Sequence, residues 1–119
     1  MASLDMQGPY SLSTTEISKQ ITKMSSGNYA LGSVNDEGKF IVKYVGRSDT
    51  DLNARLKQHA ATGKHPKFKY SYATSPKAAF EKECKNFHDF GGTEKLENDI
   101  HPDRPANSGW KCPYCKNFD

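Results

Sequence analysis

The sequence predicts a small α/β (α+β) domain: a three-stranded, mainly antiparallel sheet flanked by helices, with a short metal-clamped C-terminal tail. Three observations predict it. A β-branched and aromatic run, Lys39-Phe-Ile-Val-Lys-Tyr-Val45, follows the turn-forming cluster Asn35-Asp-Glu-Gly38 and an earlier strand-like run holding Tyr29, Leu31 and Val34. Apolar residues recur at helical spacing behind capping residues in three other segments. Cys112-Pro-Tyr-Cys115 has the spacing of half a zinc site.

A chain of 119 residues is one domain's worth and long enough to bury a core. The hydrophobic fraction is only 34%, so that core should be small and a metal clip would help it. The formal net charge of +3 is compatible with a polyanionic partner without requiring one. No apolar run approaches a membrane span, and the N-terminal residues lack a signal-peptide pattern. The expectation is therefore a cytoplasmic chain with no membrane partner and no obligate protein partner that can be inferred. Three cysteines, two of them in Cys-x-x-Cys, fit a metal in a reducing compartment better than a disulfide framework.

In chain order, residues 1–12 are aperiodic and read as a loose lead-in. Ser13 and Glu16 have capping-box spacing. Ile17, Ile21 and Met24 then give one apolar face, predicting a short helix that ends near Ser25-Ser26-Gly27. The hairpin comes next and is closed by Gly46, where a side chain would block whatever approaches the backbone. Asp49 or Thr50 can cap a helix over about 51–61, with Leu52 and Leu56 as its apolar stripe. Arg55 and His59 form a second stripe one turn apart. Thr62-Gly63 stops this helix, and Phe68–Thr74 reads as a third strand. Ser75-Pro76 starts a further helix running to about Phe90, with Ala79, Phe80, Cys84 and Phe87 buried. Glu83 falls on that same face, where an unpaired carboxylate is costly. The domain is expected over 13–98, and 99–119 is expected to be a tail packed on it.

The order of these pieces resembles the GIY-YIG nuclease domain over about residues 27–98. Gly27-Asn28-Tyr29 is similar to the first signature tripeptide, with Asn28 in place of an apolar residue, and Tyr44-Val45-Gly46 to the second. Arg55 and His59 in Asn53-Ala-Arg-Leu-Lys-Gln-His59 match the catalytic arginine and a polar active-site position. Glu83 matches the metal-binding glutamate, and Asn98 resembles a late asparagine that lines the site in part of the family. The resemblance implies endonucleolytic cleavage of nucleic-acid phosphodiesters, DNA in preference to RNA, with one Mg²⁺ or Mn²⁺ held by Glu83. A hard cation accepts one carboxylate plus waters and phosphate oxygens. Arg55 would offer its fork of donors to the phosphate. Tyr29 or Tyr44 would act as base or relay, given a metal or Arg55 to lower its pKa. His59 would donate to phosphate or assist proton transfer. Gly46, Arg47, Lys64 and Asn98 are assigned to substrate contact.

Cys84 and His88 are four apart on one helix face, so Cys84, His88, Cys112 and Cys115 make a closed structural zinc site, with His101 as the substitute ligand. Lys64, His65, Lys67 and Lys69, interleaved with Phe68 and Tyr70, could track a phosphate backbone or form a solvated strand edge. The competing reading of the whole chain is a non-catalytic nucleic-acid-binding or structural zinc module on the same fold.

Overall fold

The computed structural model describes residues 6–98, 110 and 112. The elements in order are β1 (Gln7–Ser11), α1 (Thr14–Gln20), β2 (Gly27–Val34), β3 (Phe40–Ser48), α2 (Leu52–Thr62), β4 (Lys67–Tyr72), α3 (Pro76–Asp89) and α4 (Gly92–Lys95). The strands form a four-stranded sheet in the order β1-β4-β2-β3, with every pairing antiparallel. The α+β class is as expected, but the sheet has four strands rather than three. Residues 7–11, read from the sequence as lead-in, supply the fourth against β4. Gly8 and Pro9 hid it: neither favours a strand, and Pro is tolerated only at an edge such as this one. A register shift between Gln7 and Tyr10 further erases the two-residue period.

Strand alternation sorts the core onto two faces. Tyr29 and Leu31 of β2 pack with Phe68 and Tyr70 of β4 beneath Ile17, Ile21, Leu52 and Leu56. Ala30 and Val45 face the other way, with Phe87 and Leu96. Helices α1 and α2 therefore cover one face, and α3 and α4 the other. Both faces of β2 are covered, so Gly27 through Gly32 are all buried. Leu52 and Leu56 are fully buried, each worth about 1.5–3 kcal/mol by removal from water.

Helix ends follow local chemistry closely. Ser13 Oγ accepts from the Glu16 amide at 3.2 Å and Ser75 Oγ from the Ala78 amide at 3.1 Å, with Pro76 just inside α3. Gly63 ends α2 in the left-handed region at φ 67°. Two expectations change. The cap of α2 is Asp51, whose carboxylate accepts from the Ala54 amide at 3.2 Å, rather than Asp49 or Thr50. Helix α1 stops at Gln20, leaving Met24 83% exposed, because the segment after it is drawn into the sheet. Ser25 and Ser26 carbonyls accept from the Leu52 and Ala73 amides, both at 3.0 Å.

The open edge of β3 is closed by the chain beyond α4. The Glu97 amide donates to the Lys43 carbonyl at 2.6 Å. The Asn98 side chain then takes both main-chain groups of Val45, accepting from its amide at 3.1 Å and donating to its carbonyl at 2.8 Å. One amide thus imitates a neighbouring strand. Asn98→Ala should leave both Val45 groups unmatched and lower unfolding free energy by about 1–3 kcal/mol, read from urea denaturation. Wild-type stability in that variant would show that water replaces the amide at no cost.

Candidate active site

The site forms where an edge strand presents alternate residues to opposite faces. Tyr44 and Gly46 pair with Leu31 and Tyr29 and share their face, whereas Arg47 pairs with Asn28 and turns toward α3. Gly46 is required where it stands: a Cβ there would overlap the Tyr29 phenol. The group that approaches the backbone at Gly46 is therefore the Tyr29 phenol. Around this gap a cleft of about 220 Å³ is lined by Tyr29, Tyr44, Gly46, Arg47, Asp49, Arg55 and Glu83. Residues far apart in sequence, from two strands and two helices, meet in it.

On the α2 side, the rings of Tyr29 and Tyr44 stack at 6.4 Å, 17° from parallel. His59 tilts against both, and its Nε2 lies 2.7 Å from the Tyr29 hydroxyl. Burial holds His59 well below its ordinary value, at about 4, aided by the nearby Arg55 charge. The imidazole is therefore neutral at pH 7. Burial, reinforced by Tyr44, pushes the Tyr29 phenol above its ordinary value, against a smaller opposing pull from Arg55. Arg55 reaches the same hydroxyl and pulls its pKa down, but by less than burial raises it. Desolvation wins. Arg55 also donates to Gln58 at 3.0 Å and keeps much of its guanidinium exposed to incoming anions.

On the α3 side, Glu83 is 8% exposed and paired with Arg47, whose Nη1 lies 2.5 Å from Oε1. Arg47 donates through Nε to Asp49 at 2.9 Å, and its guanidinium lies over Phe80 at 5.1 Å. Burial nevertheless raises Glu83 to about 7, because the Arg47 charge offsets only part of the desolvation. Glu83 and Asp49 are the carboxylates that open on this cleft, beside the phenolic oxygens of Tyr29 and Tyr44. That donor set fits a hard divalent cation completed by water and phosphate oxygens.

The remaining sequence candidates fall elsewhere. Asn98 is committed to Val45, yet it also lines a second cavity of about 580 Å³ together with exposed Lys64. Phe68 and Tyr70 are core residues, so their interleaving with Lys67 and Lys69 is sheet alternation rather than a stacking platform. Cys84 and Cys112 lie against each other, buried with Phe80 and beside Trp110, and burial raises the Cys84 thiol. The half-buried His88 ring packs edge-on to Phe87 at 5.3 Å. Cys115 and His101 lie outside the described residues, among which no three His, Cys, Asp or Glu side chains gather as a metal cluster. Two site features escaped sequence reasoning: Asp49 as second partner of Arg47, and the His65–Glu97 pair at 3.4 Å. Only the unexplained carboxylate at Glu83 hinted that a cation such as Arg47 had to face it.

The two shifted groups give opposite pH signatures. Glu83 at about 7 lies above its reference of 4.5, so the native state holds the extra proton and stability falls as pH rises through that window. His59 at about 4 lies below its reference of 6.5, so the unfolded chain holds the extra proton and stability rises with pH there. Relative to wild type, Glu83→Gln should therefore gain stability between about pH 5 and pH 8, and His59→Gln should lose it. Urea denaturation at both pH values checks this, and changes of the same sign would contradict it.

Compared with protein-family models, curated proteins and solved structures, the chain matches none. No helix among the described residues is long and apolar enough to cross a membrane.

Proposed function

We propose that this chain is a GIY-YIG-type, metal-dependent endonuclease that hydrolyses nucleic-acid phosphodiesters, with DNA as the expected substrate. The observation that carries the reading is the convergence of Tyr29, Tyr44, Arg47, Arg55 and Glu83 on one cleft beside Gly46. Two guanidiniums, a carboxylate of high proton affinity and a tyrosine–imidazole hydrogen bond are the parts that phosphoryl chemistry needs. Glu83 would hold the divalent cation, which when bound neutralises phosphoryl charge and acidifies a coordinated water.

The chain's own groups do the rest. Arg55 donates to the non-bridging phosphate oxygens as negative charge builds on them. Arg47 holds Glu83 in place and adds positive charge on the opposite wall. Tyr29 works as a relay with His59: its oxygen takes a proton from the attacking water while its own proton passes to His59 Nε2. With the neutral imidazole protonated on Nδ1, its Nε2 lone pair faces the Tyr29 hydroxyl at pH 7.

The contact of Cys84 with Cys112 supports a structural Zn²⁺ that ties the tail to α3, with Cys115 and His88, or His101 in place of His88, completing it. The competing reading, a non-catalytic binding or zinc module, draws on the Glu83–Arg47 pair, which could serve as a buried ion pair alone.

Cleavage of plasmid and branched DNA with Mg²⁺ or Mn²⁺ separates the two. Glu83→Gln and Arg55→Ala should each lose about a hundredfold or more in rate, with folding retained. A well-folded wild-type chain that cuts none of these substrates would favour the binding module. Elemental analysis should find stoichiometric zinc, which Cys84→Ser or Cys112→Ser removes. Zinc-free wild-type protein with unchanged melting would refute the clamp.

A further inference from the structure

Beside the cleft lies the larger cavity of about 580 Å³, and Tyr44 lines both. A ring that borders two cavities is the partition between them. His59 lines the larger one while its Nε2 bonds Tyr29 in the smaller. The cleft suits one phosphate group and an ion, whereas the neighbouring volume is that of a small-molecule pocket. Its contents differ from the cleft's. Tyr44 and His59, 5.4 Å apart, give aromatic surface, and Leu31 is apolar. The His65–Glu97 pair adds hydrogen-bonding groups, and exposed Lys64 brings a cation. The Asn98–Val45 bonds fix one wall against the sheet.

We propose that this cavity receives one unpaired nucleobase of the substrate strand, next to the phosphate held in the cleft. The proposal rests on the nuclease reading and narrows its substrate class. A flat, π-faced ring bearing donors and acceptors on its edge matches an aromatic wall facing a His–Glu pair. A chain of alternating bases and phosphates also matches a base pocket flanked by an anion cleft and a lysine. A base stacked within a continuous duplex cannot enter, so it must be unpaired or flipped out. The preferred substrate is therefore a single strand, or a duplex interrupted by a flap, gap or bulge at the cut.

The test uses the full chain and short single-stranded oligonucleotides, each with one abasic position moved along the strand. Binding is read by fluorescence anisotropy without divalent cations, and the cut position is mapped separately with Mg²⁺. One abasic position adjoining the cut should weaken wild-type binding about tenfold, the scale of one base stacked on an aromatic ring. Thr62→Tyr, an exposed change at the end of α2 that fills the cavity, should bind intact strands about tenfold more weakly and lose the abasic effect. Lys64→Glu on the same rim should weaken binding at every abasic position alike. A fully paired duplex should bind and be cut at least tenfold less well than the single strand. Hydrolysis of a base-free diester, bis(p-nitrophenyl) phosphate, with Mn²⁺ should survive Thr62→Tyr and fail in Glu83→Gln. That arm tests the cleft apart from the pocket. Equal affinity across the abasic scan, an unaffected Thr62→Tyr, equal cutting of duplex, or no oligonucleotide binding would each overturn the pocket, whatever the diester assay gives.

Discussion

Everything in the site depends on one cross-strand contact, the Tyr29 ring lying on Gly46. The antiparallel register of β2 and β3 sets these residues opposite each other, and the missing side chain lets the phenol occupy the space. From that point, alternation places the rest. Tyr44 falls on the same face as Tyr29, and Arg47 falls on the opposite face beneath α3. A slip of one residue would exchange the two sets and separate every partner in the cleft. The contact of Tyr29 with Gly46 is thus a register lock.

Burial is the second organising force, and it acts against charge on both sides of the sheet. It keeps His59 neutral, Tyr29 protonated and Glu83 avid for a proton. Arg47 and Arg55 are the counterweights: each lowers the pKa of its acidic neighbour, Glu83 and Tyr29, by less than burial raises it.

The edge of the sheet carries this arrangement at some risk. Among the described residues no strand lies beyond β3, and an open edge is a template for unwanted pairing. Here the Glu97 amide and the Asn98 side chain cap Lys43 and Val45, just short of the cleft.

Much of the chain is legible in its sequence, because the signals are local. Capping by Ser13 and Ser75, the αL stop at Gly63 and the hairpin of β2 with β3 each depend on a few neighbouring residues, and they occur as read. The helix spacing of Arg55 and His59 and the anomaly of Glu83 likewise stand in the sequence. What tertiary structure alone decided is who meets whom. Strand β1 exists only because β4 offers an edge to a segment with no period of its own. Arg47 faces Glu83, Asn98 turns from a cleft-lining candidate into a strand clamp, and Phe68 and Tyr70 go to the core rather than to a surface. Those outcomes are set by sheet order and by the cost of burying charge. Both depend on partners dozens of residues away, which no local pattern encodes.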